Sequence, residues 1–190
     1  MFYAFARALI IAFYKLFFRV KVTGRENIPA EGPVIICSNH ISLNDPCLIG
    51  AFTKRPVHFL AKHTLFRNPL FNAVMRGINA MPVNREAASM ASFKEVMEVL
   101  SKGEVLGIFA EGRRMKELDI KNAKNGVALF ALKTGAPVIP VKIASDYKLF
   151  RKVILNIGPA VDLSAFGGKK IRSEALEGVT DVIMKAISIL

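Results

Sequence analysis

The sequence predicts an α/β fold in which helices flank a mostly parallel or mixed central sheet. Short apolar runs rich in β-branched residues alternate with longer segments whose apolar residues recur at helical spacing. This alternation is typical of α/β proteins. Of the 190 residues, 52% are hydrophobic and 22% are charged, so the chain can bury one substantial core. The predicted strands are 19–23, 34–38, 57–62, 78–83, 105–109, 138–144 and 153–157.

The helices predicted between and after these strands have recognisable ends. The clearest covers 85–101, carries an apolar stripe, and is followed by Gly103 as a stop signal. A second covers about 123–134 and is ended by a glycine and a proline. A third begins after Ser173 and carries apolar residues at helical spacing up to the last residues. Helices and strands together account for most of the chain as one folded unit.

The N-terminal segment 1–18 is apolar and aromatic, and it predicts an amphipathic helix that lies on a membrane surface. Arg7 and Lys15 interrupt it, and the uncharged run 8–14 is far shorter than the roughly 20 residues that a span needs. On a helical wheel these cations fall on one side with Arg19, facing head groups. The alternative is a helix packed on the protein's own core. The predicted membrane-binding side chains are Phe2, Phe5, Leu9, Phe13 and Leu16.

The formal net charge of +12, from 27 basic against 15 acidic residues, favours an anionic partner. The aromatic-plus-basic signatures of nucleic-acid binding do not occur in the sequence, so nucleic acid is not the predicted partner. An anionic bilayer, a phosphate-bearing lipid, coenzyme A or an acidic carrier protein fit the charge. Two cysteines and three histidines provide neither a disulfide framework nor metal-ligand spacing, so no metal or cofactor is predicted, and Cys37 is interpreted as core packing.

His40 and Asp45 stand five residues apart, between the apolar strand 34–38 and a helix that begins at Asp45-Pro46. An imidazole can take a proton from a hydroxyl, and a carboxylate on its other nitrogen fixes the tautomer and stabilises the imidazolium. The nucleophile could then be the substrate's own hydroxyl. The alternative is structural, because Asp before Pro is a favoured helix start and a histidine at a strand end can be a satisfied core residue.

Four sequence blocks occur in an order that resembles the glycerolipid acyltransferase family, especially the bacterial 1-acylglycerol-3-phosphate acyltransferases. The first, 39–45, resembles the His-x4-Asp signature, and 77–85 resembles an acceptor-binding segment that ends in Arg. The third, 109–114, is similar to Phe-Pro-Glu-Gly-Thr-Arg, and 136–141 resembles the apolar strand that closes the set. The resemblance covers about 22–141. In the third block, two residues depart from the family pattern, with Ala110 in place of Pro and Arg113 in place of Thr.

This resemblance implies a glycerolipid acyltransferase-like sandwich, with 1–18 as an interfacial membrane-anchoring helix and 19–190 as the acyltransferase domain. It implies transfer of a fatty acyl group from acyl-CoA or acyl-carrier protein to lysophosphatidic acid, giving phosphatidic acid. His40 would be the base and Asp45 its orienting acid, with no acyl-enzyme and no cofactor. The expected location is the cytoplasmic face of the cell membrane, as a peripheral or monotopic protein.

The resemblance also implies which residues hold the acceptor phosphate. Arg85 would open a helix, where its planar fork and the free N–H groups of the first turn suit a phosphate. Backbone N–H groups around Gly112 or at a helix start are candidates for stabilising the oxyanion. The acceptor-binding candidates are Arg85, Glu111, Gly112 and Arg114, with Lys62, Arg113 and Lys124 as weaker ones.

Two alternatives stay open at this point. The same family chemistry could act on glycerol 3-phosphate, another lysophospholipid, or an ornithine-lipid or lipid A precursor. A different class of function is a non-catalytic basic protein that coats membranes or nucleic acid, which would leave His40 and Asp45 without a chemical role.

Overall fold

A computed structural model describes residues 2–84, 90–115, 118, 120, 123–167 and 171–190. Its described part forms one seven-stranded sheet with helices on both faces. The strands are β1 Arg19–Thr23, β2 Val34–Ser38, β3 Val57–Lys62, β4 Ala80–Val83, β5 Val105–Phe109, β6 Val138–Ala144 and β7 Lys152–Ile157. The helices are α1 Phe2–Phe17, α2 Asp45–Phe52, α3 Pro69–Gly77, α4 Met90–Ser101, α5 Gly126–Thr134 and α6 Ser173–Ser188.

The strand order is β1-β7-β6-β2-β5-β3-β4, and every neighbouring pair is parallel except β6 and β7. The predicted mostly parallel or mixed sheet is therefore confirmed. β2 lies in the middle, and all of its residues are buried because helices cover both faces. Since β2, β3, β5 and β6 run the same way, their carboxyl ends meet at one edge of the sheet, where α/β proteins commonly bind ligands.

Alternating side chains of β2 contribute to two separate cores. Val34 and Ile36 belong to a core on the face covered by α1 and α2, whereas Ile35 and Cys37 belong to a core under α4, α5 and α6. Cys37 is thus core packing, as expected from the sequence. Burial raises the pKa of its thiol to about 12, so this thiol stays protonated and unreactive at neutral pH.

Two elements differ from the sequence prediction. Strand β4 begins at Ala80 because the preceding Asn79 adopts a left-handed conformation, with φ 61°, and ends a turn after α3. Helix α3 itself was not predicted, although Asn68 caps it by accepting the N–H groups of Leu70 and Phe71. The described part of the predicted helix 85–101 begins at Met90, and 85–89 lie outside the described residues.

Helix α1 has apolar side chains on two faces, one packed against the protein and one exposed to solvent. Tyr14 is buried, and its hydroxyl donates to the Asn44 carbonyl. The Arg7 guanidinium donates to the carbonyls of Ala51 and Thr53 at the end of α2, at 3.1 and 2.6 Å. The prediction that Arg7 faces head groups together with Lys15 is therefore wrong. Burying its apolar stem lets this cation satisfy carbonyls that a helix end leaves unpaired.

The five side chains predicted to bind the membrane, which are Phe2, Phe5, Leu9, Phe13 and Leu16, are all exposed. The opposite face of the same helix packs on the protein's core, as in the alternative prediction. None of the helices in the described ranges has the length and apolar character that a membrane crossing requires. Whether 1–18 anchors the protein stays a prediction.

Candidate active site

The chain leaves the sheet at His40, and three contacts fix its path there. The buried Asn39 side chain donates to the Ile143 carbonyl and accepts the Ile143 N–H, at 2.9 and 2.8 Å, so it continues the pairing of β2 with β6. The His40 N–H donates to Glu111 Oε2 at 3.0 Å, and its carbonyl accepts the Met115 N–H at 2.7 Å. These bonds hold the His40 backbone from the ends of both β6 and β5.

His40 and Asp45 form a buried hydrogen-bonded pair. His40 Nδ1 lies 2.8 Å from Asp45 Oδ2, which also accepts the N–H groups of Ile41 and Ser42 at 2.6 and 2.7 Å. Asp45 is completely buried. The N-cap position belongs to Asn44, and Asp45 is the first helical residue of α2. The carboxylate is therefore directed back at the histidine loop, where the positive end of the helix dipole favours its charge.

The orientation of the His40 ring is fixed by packing as well as by hydrogen bonding. It stacks on Phe109 at the end of β5, with ring centroids 4.0 Å apart and an angle of 16° between the planes. Because the carboxylate accepts from Nδ1–H, this hydrogen bond assigns the tautomer in which Nε2 is the proton acceptor. Such an arrangement is suited to general-base catalysis on a hydroxyl.

Two apolar cavities of about 400 and 390 Å³ meet at this histidine, one on each face of the sheet. Both are lined by His40, Leu60 and Phe109. The α1-side cavity extends between α1, α2 and β3, and the α4-side cavity extends between α4, α5 and β5. His40 is therefore reachable from two apolar compartments, a feature that the sequence did not predict.

The predicted acceptor-binding residues divide between these compartments. Lys62 and Arg114 line the α1-side cavity, and Gly112 and Lys124 line the α4-side cavity. Arg113 is exposed and does not line either cavity. Arg85 lies outside the described residues.

One of the predicted roles, phosphate binding by Glu111, does not fit the geometry. Glu111 is buried, with its carboxylate against the His40 backbone, and a carboxylate there would repel a phosphate rather than bind it. The Gly112 N–H donates to the Phe109 carbonyl, and Gly112 has φ 65°, so this N–H closes a turn. The other N–H groups around Gly112 stay candidates for stabilising the oxyanion. Glu111 therefore shapes the site instead of contacting the acceptor phosphate.

Sequence reasoning missed Tyr147, whose hydroxyl donates to Asp45 Oδ1 at 2.7 Å. It belongs to the loop 145–151 between β6 and β7. Burial, followed by the Asp45 charge and the hydrogen bond to it, raises the pKa of Tyr147 far above its ordinary value. The described residues contain no group of three or more His, Cys, Asp and Glu side chains that could hold a metal ion.

Comparison with known proteins identifies the family. Residues 19–144 match the family model described as "Acyltransferase". Over 146 residues, 75% of this chain and 58% of its relative, the chain is 38% identical to a 1-acyl-sn-glycerol-3-phosphate acyltransferase of Borreliella burgdorferi. It is 33% identical to the protein of the same name from Bacillus subtilis, over 70% of this chain and 68% of that one.

A solved structure gives the same result. The crystal structure of the 1-acyl-sn-glycerophosphate (LPA) acyltransferase PlsC from Thermotoga maritima is 29% identical, with a TM-score of 0.76, and the alignment covers 98% of this chain and 78% of that one. The chain spans only 58% of the Borreliella protein, so the relatives contain segments that it does not match. The family model over 19–144, the two curated relatives and the solved structure agree in placing the chain in the glycerolipid acyltransferase family.

Proposed function

We propose that the protein is a 1-acyl-sn-glycerol-3-phosphate O-acyltransferase, which transfers a fatty acyl group from a thioester to the free hydroxyl of lysophosphatidic acid. The observation that carries this proposal is the buried pair of His40 and Asp45 at the junction of two apolar cavities. The names of the Borreliella, Bacillus and Thermotoga relatives support it. The product would be phosphatidic acid.

In the proposed mechanism, the acceptor hydroxyl donates to His40 Nε2 and attacks the thioester carbonyl. As the new C–O bond forms, the proton moves to Nε2, and Asp45 stabilises the imidazolium. The tetrahedral intermediate collapses by breaking the C–S bond, and the imidazolium returns its proton to the departing thiolate. This route uses no protein nucleophile. Cys37, the cysteine near His40 in sequence, is fully buried with a raised pKa.

The two cavities favour a lysophospholipid over glycerol 3-phosphate as acceptor. A fatty acyl chain needs an apolar compartment. In acyl transfer to lysophosphatidic acid, the donor and the acceptor each carry one fatty acyl chain. Glycerol 3-phosphate carries no chain and would leave one compartment without a function. We assign one substrate chain to each cavity, with both reacting groups at His40.

Filling each cavity separately should show this division. Gly50 on α2 lines the α1-side cavity and Gly126 on α5 lines the α4-side cavity, and a Cβ at either would make only ordinary contacts, at 3.5 and 3.8 Å. We expect Gly50→Leu and Gly126→Leu each to lower kcat/KM for long-chain substrates about tenfold or more, since each lost methylene contact is worth roughly 1 kcal/mol. Short-chain substrates should be much less affected.

Comparing Gly50→Leu with Gly126→Leu also shows which substrate occupies which cavity. If one variant discriminates by the length of the acceptor chain and the other by the length of the donor chain, each chain is assigned to a cavity. Two variants that respond identically to both lengths would contradict the division. Circular dichroism and thermal unfolding provide the control for folding.

The phosphate of the acceptor is proposed to lie near Arg114 and Lys62, which line the α1-side cavity beside His40. Arg85 remains part of the proposal from its sequence motif. The net charge of +12 suits both an anionic lipid and a donor such as acyl-CoA or acyl-carrier protein.

A panel of acceptors and donors tests the proposed function directly. Lysophosphatidic acid, lysophosphatidylcholine and glycerol 3-phosphate would each be offered to the full chain with acyl-CoA and with acyl-carrier protein. We expect the highest kcat/KM for lysophosphatidic acid. Preference for glycerol 3-phosphate would favour that acceptor class, and no transfer with any pair would favour a non-catalytic membrane-coating protein.

We also propose that the protein acts as a peripheral or monotopic protein on the cytoplasmic face of the membrane, with α1 as its anchor. The exposed apolar side chains of α1 support this, and α3 adds exposed Leu70, Phe71 and Val74. The Phe2 ring lies next to Gly77, so the two helices are adjacent. A lipid acceptor could then reach the α1-side cavity, which both helices line, without leaving the bilayer.

A further inference from the structure

The loop 145–151 places a tyrosine hydroxyl on the outer oxygen of the carboxylate in the proposed catalytic pair. Asp45 Oδ2 accepts His40 Nδ1–H and the N–H groups of Ile41 and Ser42, whereas Oδ1 accepts the hydroxyl of Tyr147 at 2.7 Å. We propose that Tyr147 is a positioning residue for acyl transfer, which holds the Asp45 carboxylate so that Oδ2 faces His40. This inference rests on the proposed function.

The carboxylate needs a donor on each oxygen to keep its plane fixed. The three donors on Oδ2 converge on one atom, around which the carboxylate can still tilt. Asp45 is completely buried, so water does not replace a lost donor readily, and an unsatisfied charged oxygen at such a site is costly. The Tyr147 hydroxyl therefore supplies the contact that determines the direction of the second oxygen.

The hydroxyl keeps its proton across the range in which the enzyme would work. Burial and the neighbouring Asp45 charge raise the pKa of Tyr147 well above its ordinary value, so the group remains a donor at neutral and mildly alkaline pH. A donor that does not titrate can hold a carboxylate through a catalytic cycle in which His40 changes its charge.

The backbone around Tyr147 is built to deliver this side chain. Tyr147 has φ 51°, a left-handed conformation that residues with a Cβ adopt only when their surroundings impose it. Its N–H donates to Ser145 Oγ at 2.8 Å, and the Phe150 N–H donates to the Phe17 carbonyl at 2.7 Å. The Tyr147 ring meets the edge of Phe18, with centroids 6.4 Å apart. The loop is thus fastened to the end of α1.

Other ionisable groups near the pair come from every element packed against it. Tyr14 on α1 and Cys47 on α2 lie close enough to interact with the Asp45 charge, and Glu111 after β5 contacts the His40 backbone. Arg7, Lys62 and Arg114 line the α1-side cavity with His40, and Lys124 lines the α4-side cavity. The Asp45 carboxylate accepts side-chain hydrogen bonds from His40 and from Tyr147.

Replacing Tyr147 with Phe removes this hydroxyl and leaves the ring. We expect kcat to fall about tenfold with little change in either KM, because a hydrogen bond to a charged group is lost at a residue that does not contact substrate. Without the hydroxyl, more negative charge on Asp45 is available to an imidazolium. The acid limb of the kcat profile should therefore move upward by about half a pH unit.

Tyr14→Phe is the matched control, because its buried hydroxyl donates to the Asn44 carbonyl, next to Asp45, instead of to the carboxylate. We expect this variant to keep the kcat and the acid limb of the unchanged protein. The midpoint of the His40 proton titration, followed by NMR on the full chain, should move upward in Tyr147→Phe and stay in place in Tyr14→Phe. This readout needs no turnover.

The outcomes separate the inference from the proposed function. If the unchanged protein transfers acyl groups and Tyr147→Phe keeps its kcat and its His40 titration, the positioning role is overturned. Equal effects of both tyrosine variants would also overturn it, since they would report general packing. If the unchanged protein transfers no acyl group, the proposed function fails, while the His40 titration still decides whether the hydroxyl acts on the pair. In an Asp45→Asn background, Tyr147→Phe should have little further effect on kcat.

Discussion

His40→Ala is expected to lower kcat for acyl transfer about a thousandfold or more, because the proposed general base is lost. Little stability should be lost with it. Asp45 keeps the N–H groups of Ile41 and Ser42 and the Tyr147 hydroxyl as donors, so its buried carboxylate is not left unpaired. The thermal unfolding midpoint of His40→Ala should therefore stay close to that of the unchanged protein. The rate of transfer to lysophosphatidic acid, measured with a labelled acyl thioester, should fall sharply.

The matched control is His58→Ala. His58 pairs with Glu104 at 3.0 Å and does not line either cavity. It lies near the start of β3, whereas His40 lies at the carboxyl ends of the strands. It should keep most of the activity. Asp45→Asn should lower kcat for acyl transfer by about a hundredfold or more, as expected when a base loses the acid that orients it. A fully active His40→Ala variant would eliminate the catalytic assignment.

The strands and the histidine pair could be predicted because their signals are local. Buried parallel strands appear as short β-branched runs, and β2, β3, β5 and β6 begin and end where those runs do. His40 lies in the loop after β2, and Asp45 is the first residue of α2. Their spacing alone therefore brings the ring and the carboxylate close together.

The partners of this pair could not be read from spacing, because they come from distant parts of the chain. Asn39 bonds to Ile143, 104 residues away, and Tyr147 lies 102 residues from Asp45. The strand order would have located both. Since β6 is parallel to β2 and pairs with it, the segment that follows β6 must lie at the edge of the sheet where His40 emerges. That inference needs the strand order, which the sequence did not specify.

The roles of Glu111 and Arg7 depend on contacts within the protein that the sequence does not show. The resemblance implies that Glu111 binds the acceptor, yet its carboxylate accepts the backbone N–H of His40. The helical wheel predicts that Arg7 faces head groups, yet its guanidinium donates to carbonyls at the end of α2. In both cases the side chain serves backbone groups that the sequence does not mark as unpaired.

Replacing the exposed apolar face of α1 is expected to release the protein from membranes. Phe5, Leu9 and Leu16 are 63, 56 and 68% exposed, so changing all three to Gln should leave the core intact. At about 1.5 kcal/mol for each side chain inserted into the interface, the three changes should weaken vesicle binding roughly a thousandfold. Sedimentation with vesicles of phosphatidylcholine and phosphatidylglycerol measures this directly.

Substitution is a sharper test than deleting residues 1–18. Tyr3, Ala6, Arg7 and Ile10 line the α1-side cavity from the inner face of the helix, so a deletion would open the proposed chain-binding site as well as remove the anchor. Ile189→Gln is the control, because Ile189 is 84% exposed and follows α6, across the sheet from α1. The triple variant should keep its turnover on a short-chain, water-soluble acceptor and lose it on vesicle-bound lysophosphatidic acid. If it still sedimented as fully as the unchanged protein, α1 would not be the anchor.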